Sequence, residues 1–240
     1  MIRGYWTART GMMSHQTRMD TIANNMANVS TTAFKPHRST FKDLIYQNVN
    51  RPEAQDSAMV GAGVKVNTND SLMAQGPLFP TERELDMALL GDGDFFMLEA
   101  ANGDILYSRA GAFYLQIEDE ETAYLVDGSG NRVLDADSEQ IELTVVNGRF
   151  NFDPQMVGVY RFPNQYGLDR KGDNTYVETA ISGTPEAVDN PEYKQGYLEG
   201  SSVQISQEMV AVIEASKAFS LSARMSQVAD EVEQTINSLR

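Results

Sequence analysis

The chain has 240 residues, no Cys, two His, 19 Lys plus Arg and 34 Asp plus Glu, so its formal charge is −15. Those counts exclude a disulfide framework and any Cys-ligated metal site, and two His alone fall short of a zinc ligand set. A pI near 4.5 argues against wrapping nucleic acid, and no apolar run reaches the roughly 18–20 residues that span a bilayer.

The charge is uneven. Residues 1–51 carry seven basic side chains and two acidic ones, a net +5, which leaves −20 on residues 52–240. A basic end on an acidic body reads as an interaction segment, and its partner is an anionic surface or the acidic part of another copy. The opening lacks the apolar stretch of a cleaved secretory leader, so export by that route is not expected.

Residues 1–29 have helical periodicity. The series Met1, Tyr5, Ala8, Met12, His15, Met19, Ile22, Met26, Val29 alternates steps of four and three and is apolar at all but His15. This heptad seam is the pattern of a helix that packs along another helix. Its Met and Ala content makes it adaptable, and such a face is expected to order only on packing. His15 sits in the seam, where a polar residue tunes register or partner choice rather than performing chemistry. The helix should stop near Asn28, because Asn tolerates the left-handed backbone that ends helices and Ser30-Thr31-Thr32 follows.

Residues 30–51 then read as extended or irregular, with Pro36 biasing Lys35 toward β geometry and one helical turn expected around Phe41, Leu44, Ile45 and Tyr46. Residues 50–63 are linker-like, with Pro52, Gly61 and Gly63. From 64 to 200 short apolar or aromatic runs alternate with turn signals. Strands are expected over 95–99, 105–108, 112–117, 124–126, 132–134, 141–146, 149–152, 157–162 and 176–179, with a hairpin at Asn147-Gly148. No βαβ alternation is present, so a doubly wound parallel sheet is not expected.

Residues 203–239 are helical again. Ile205, Met209, Val212, Ser216 and Phe219 make one stripe, and Leu221, Met225, Val228, Val232, Ile236 and Leu239 make a second, offset by two residues. Ser201 or Ser202 is expected to cap its start. The expected fold is α+β: residues 1–51 as helix plus extended segment, 52–200 as a β-rich body, and 201–240 as a terminal helix.

The chain carries little that resembles a catalytic or ligand site. The acidic stretch from Asp127 has Arg132 where a calcium loop needs its Gly. Gly91-x-Gly93 has Phe96 at the third glycine's place, so the dinucleotide fingerprint fails. His37 lies beside Arg38 with no acid near in sequence to orient it as a base. No catalytic residue, cofactor, metal or small-molecule substrate is therefore expected. Two other classes remain to be weighed, a secreted β-rich enzyme acting on glycans and a surface adhesin with a coiled-coil stalk.

The stretch Ile22 to Lys35, IANNMANVSTTAFK, closely resembles the N-terminal signature of bacterial flagellar axial proteins, and the opening 29 residues resemble their rod branch. Residues 196–239 resemble the family's C-terminal helix; the runs Gly76 to Phe96 and Tyr107 to Phe113 resemble its β body. Asn24, Asn25, Asn28, Phe34 and Lys35 are the signature positions. Ala33 stands where the family usually has Gly, so a positive backbone angle there would be costly and the loop is expected to differ. Asp94 stands where an apolar residue is usual.

The resemblance implies a structural subunit of the basal-body rod, proximal or distal, with no enzymatic activity. It implies that the first and last helices pair as a coiled coil and that subunits stack helically to carry torque from motor to hook. The assembly interface would be Tyr5, Ala8, Met12, Met19, Ile22, Met26 and Val29 on the first helix. On the last it would be Met209, Val212, Phe219, Met225, Val228, Val232, Ile236 and Leu239. Implied partners are further copies, neighbouring rod and hook proteins, and the flagellar export apparatus. The implied location is the basal body outside the cytoplasm, reached without a cleaved signal peptide.

Overall fold

The computed structural model describes residues 2–49, 58–118, 122–146, 149–150 and 152–239. The chain forms two compact units. One, the helical unit, holds residues 1–27, 37–72 and 204–240; the other, the body, holds 28–36 and 73–203. This division differs from three consecutive stretches. Residues 58–72 fold with the helices, and 28–36 fold with the body, because hydrogen-bond partners distant in sequence claim them.

In the helical unit, α1 (Ile2–Ala27) and α2 (Ile205–Ser238) run antiparallel, since Asn25 meets Glu208, Arg18 meets Glu214 and Gly11 lies against Ser222. Those α1 positions, 11, 18 and 25, are seven residues apart and lie outside the apolar series read from the sequence. α2 has 34 residues and α1 has 26, about 51 and 39 Å at ~1.5 Å per residue. α2 starts at Gln204 without a side-chain cap. Ser201 instead accepts the Val203 N–H, and the Ser202 N–H donates to the Phe34 carbonyl, which corrects the expected serine cap.

The same unit contains a ribbon of β1 (His37–Asp43) and β4 (Val64–Ser71), antiparallel with a register shift at Thr40/Phe41. Two short strands, β2 (Gln47–Val49) and β3 (Ala58–Val60), pair between them. The helical turn expected around Phe41 is therefore absent: Phe41 lies in β1, and 44–46 is coil. Cross-strand partners on β4 override a local apolar spacing. The ribbon lies on α1, with Thr21 bonded to Ser39 at 2.9 Å and Ser14 Oγ donating to the Val64 carbonyl at 3.4 Å. Gly63, at φ +112°, permits the approach, because a Cβ there would stand 2.2 Å from Thr10 Oγ1.

The body is antiparallel β. Its strands are β5 (Leu78–Pro80), β6 (Met87–Leu89), β7 (Asp94–Glu99), β8 (Ile105–Ser108), β9 (Tyr114–Ile117), β10 (Thr122–Val126), β11 (Arg132–Val133) and β12 (Glu142–Val146). They continue with β13 (Arg149–Phe150), β14 (Val159–Arg161), β15 (Asp169–Gly172), β16 (Thr175–Val177), β17 (Glu186–Ala187), β18 (Tyr193–Gln195) and β19 (Tyr197–Glu199). The main sheet runs β13-β12-β10-β11-β7-β8-β16-β15, with β14 also on β7, β17 on β14 and β9 on β10. The tip of the expected Asn147-Gly148 hairpin lies outside the described residues, but β12 and β13 pair as that hairpin requires.

β7 explains the core. Side chains alternate across a strand, so Phe96 and Leu98 enter one cluster with Phe113, Leu125 and Val133. Phe95 and Met97 enter another with Tyr107, Phe162 and Tyr176. A strand covered on both faces reads as a continuous apolar run, as Phe95 to Leu98 does. Burial pushes the Tyr107 phenol up to about 12, with help from Glu178 and Tyr160.

Candidate assembly surface

α2 carries two different stripes. The side in contact with α1 is small: Ala215 is fully buried, Ser222 touches Gly11, and Ala211, Ala218 and Ala229 are half-buried. Small side chains let the two backbones approach. Large apolar side chains face outward instead: Met209, Ile213, Leu221, Met225, Val228, Val232, Ile236 and Leu239 are all exposed, Leu239 at 83%. Val212 and Phe219 are half-buried between the stripes. The small stripe was missed because a template of large apolar residues passes over Ala and Ser; a count of small residues at heptad spacing would have found it.

On α1 and the turn that follows it, the expected interface splits. Ala8 and Ile22 are buried within the chain, Met12, Met19, Met26 and Val29 are half-buried, and Tyr5 is exposed. Trp6 and Met13, outside the expected series, are also exposed. His15 packs its ring on Phe41 of β1 at 5.9 Å. Burial, reinforced by Arg18, lowers its pKa below 6.5.

The signature residues act at both ends of the 28–36 segment. Asn25 is buried. Its Nδ2 donates to the His37 carbonyl at 2.8 Å and to Glu208 Oε1 at 3.0 Å, while its Oδ1 accepts the His37 N–H at 2.9 Å. One amide thus copies a strand partner for β1 and holds the first turn of α2. Asn28 is not in the left-handed region; its Oδ1 accepts from Thr31 Oγ1, closing the turn after α1. Asn24 is exposed. The left-handed residue is Ala33, at φ +53°. The loop therefore keeps the angle that Gly would take, contrary to expectation, and the Ala33 N–H donates to the Glu199 carbonyl at 2.8 Å.

Inside the body, Lys35, Arg109 and Glu199 form a node at most 1% exposed. Lys35 Nζ donates to Glu199 Oε1 at 2.5 Å and to the Ala74 carbonyl at 2.8 Å. Arg109 Nε donates to Glu199 Oε2 at 3.0 Å, and the Gly76 N–H donates to Oε1 at 2.7 Å. Arg109 Nη1 reaches the carbonyls of Gly91 and Asp94. Burial lowers the Lys35 pKa, and Glu199 opposes that shift. Phe34 is buried under the Arg170 guanidinium. Asp94, also buried, pairs with Arg161 at 2.7 Å, so the charge that replaces the usual apolar residue is neutralised. Glu199 and Arg109 were not singled out from sequence. Their signal was a charge set within a stretch that otherwise packs.

The node joins three distant stretches, 33–35, 109 and 199, and these carry the resemblance noted above. Residues 7–35 match the family described as flagella basal body rod protein, and residues 194–239 match the C-terminal family of the flagellar basal body rod FlgEFG proteins. The flagellar basal-body rod protein FlgG of Agrobacterium fabrum is 35% identical, covering 96% of this chain and 97% of its own. FlgG of Bacillus subtilis is 31% identical with all of both chains covered. The chain belongs to the flagellar basal-body rod protein family.

Members of this family are structural, and the chain is a structural rod subunit rather than an enzyme. The flagellar hook protein FlgE of Borreliella burgdorferi is 36% identical, but over 47% of this chain and 27% of its own length. The FlgG likeness therefore spans the whole molecule, whereas the hook likeness is partial. Among the described residues no helix is long and apolar enough to cross a membrane.

Proposed function

We propose that the chain polymerises helically through its helical unit, with α1 and α2 acting as a coiled coil and further copies, other rod proteins and hook proteins as neighbours. The observation that carries this reading is the outward stripe of α2. Large apolar side chains at heptad spacing are left in water while the contact with α1 uses alanines. Contiguous exposed apolar surface of this kind marks an interaction site. Met209, Met225, Val228, Val232, Ile236 and Leu239 are then subunit contacts, whereas Ala8 and Ile22 support the pair from within.

Charge supports the same division. The helical unit holds ten basic and ten acidic residues, while the body holds nine basic and 24 acidic. A neutral unit packs against copies of itself without repulsion, and bodies of like charge resist lateral collapse. The rod would carry torque through the helical contacts, after export of the chain through the flagellar apparatus.

The test is the double variant Met225→Asp, Val232→Asp in a strain lacking the native gene. Body folding should be unchanged by hydrogen exchange, and rods and swimming should be absent. Normal incorporation and motility would refute the role given to the stripe.

A further inference from the structure

The helical unit has a second apolar feature, on the ribbon side of α1. Two cavities of about 170 and 290 Å³ lie in line along the helix. Their α1 wall runs from Arg3 through Trp6, Thr10 and Met13 to Thr17, and their other wall is Val60 to Ala62 followed by Val64 to Val66. The α1 positions follow steps of three and four, so the cavities form one groove along a single face. Residues 3–17 span about 21 Å at ~1.5 Å per residue.

The C-terminal part of α2 has the matching shape. Met225, Val228, Val232, Ile236 and Leu239 are exposed along one stripe, and residues 225–239 also span about 21 Å. Met225 and Val228 are free in their own chain because α2 uses its small face on α1. With Gly11 opposite Ser222, the start of α1 falls opposite about residue 231 at equal rise per residue. The last two turns of α2 thus extend beyond the helix that supports them.

Charge matches as well as length. Residues 225–239 hold Asp230, Glu231 and Glu233 and no basic residue, while residues 3–17 of α1 hold Arg3 and Arg9 and no acid. Lys65 lines the groove on the ribbon side. An amphipathic helix laid into an apolar groove with opposite charge at its rim is a recurrent mode of recognition.

We infer that the groove between α1 and the ribbon receives the C-terminal α2 segment, residues 225–239, of a second copy. This inference rests on the rod-subunit reading and names the contact by which one subunit holds the next. The contact is heterologous, tail of one copy to groove of another, so it propagates rather than closing a dimer.

The absence of Cys makes single cysteines clean reporters. Full-length Met13→Cys and Val232→Cys chains are mixed under assembly conditions and treated with a short bis-maleimide. Both positions are exposed, so neither substitution disturbs folding. The expected result is a covalent dimer, linked between positions 13 and 232 by mass spectrometry. Its yield should be at least about ten-fold above that from Met13→Cys mixed with Ile181→Cys, a body position 75% exposed. Reversing Arg3 and Lys65 to Glu should lower the yield several-fold, and reversing Asp230, Glu231 and Glu233 to Lys in the other chain should restore it. Polymers that form with dimer yield no higher than the Ile181 control would overturn the groove contact, including the case where another protein fills the groove, and leave the rod reading standing. Failure of the unmodified chain to polymerise or to enter rods would overturn the rod reading itself.

Discussion

The helical unit and the body solve the burial problem in opposite ways. In the body, Phe95, Phe96, Leu98, Phe113 and Leu125 are fully buried and even a Lys, an Arg and a Glu are taken inside. In the helical unit, alanines and a glycine are inside while Trp6, Met13, Ile213, Met225 and Leu239 are outside. The body is complete as a single chain and carries a charge of −15, whereas the helical unit is neutral and leaves its main hydrophobic area for others. Burying an apolar side chain is worth about 1.5–3 kcal/mol, so the location of that exposed area supports the proposal that the helical unit assembles.

The sharpest break of this comparison is at Glu199. It is the one acid between two buried cations, and Glu199→Gln leaves them uncompensated, at a cost of about 3–5 kcal/mol to the body. Hydrogen exchange should show the loss in residues 73–203. Glu214→Gln removes an exposed partner of Arg18 and should change the helical unit by under about 1 kcal/mol. Equal effects at the two sites would abolish the distinction between the units.

The helical unit has its own buried polar device in Asn25. Asn25→Ala strands the His37 backbone groups and should cost about 1–3 kcal/mol, read as lost protection at the end of α1 and in β1. Ala215→Leu forces bulk into the small seam and should cost about 1–3 kcal/mol, with α1 and α2 both less protected. Met225→Leu, on the outward stripe, should leave the single chain unchanged in the same experiment.

Ala33→Gly should move stability by less than about 1 kcal/mol. Relief of the left-handed strain, about 1–2 kcal/mol, is offset by a lost buried methyl of about 0.8 kcal/mol and a freer unfolded chain of about 0.4–1 kcal/mol. Urea unfolding of the full chain measures the balance.

The smallest effect is at His15. Its folded pKa lies below the ordinary 6.5, chiefly through burial and secondarily through Arg18. The unfolded chain then binds the proton more readily, so the helical unit keeps its full stability above pH 6.5 and loses some as pH falls below it. His15→Gln should flatten that slope in a pH series of thermal melts, with no change in the body.

The two helices and the mostly-β body were legible because periodicity and turn residues are local properties of the chain. The limits of α1 near Asn28 and of β7 and β8 follow directly from such patterns. The division into units was not legible, because residues 28–36, 37–49 and 58–72 are claimed by strands and side chains far away in sequence. The ribbon was missed for the same reason: Phe41, Leu44 and Ile45 have a helical spacing, and only β4 makes Phe41 part of a strand.

The sequence by itself determined the class of molecule, two terminal helices around an acidic β body, and through its signature residues the family. Tertiary structure alone decided which face of each helix is spent inside the chain. Periodicity locates a stripe but does not say whether a large or a small stripe is the inner one. That choice is made by backbone approach, at Gly11 against Ser222 and around the buried Ala215. Tertiary structure also decided that Lys35, Arg109 and Glu199 meet, since charges 164 positions apart, as Lys35 and Glu199 are, share no local signal. Their burial is tolerable only because the fold brings the opposite charge and the Ala74 and Gly76 backbone groups to the same point.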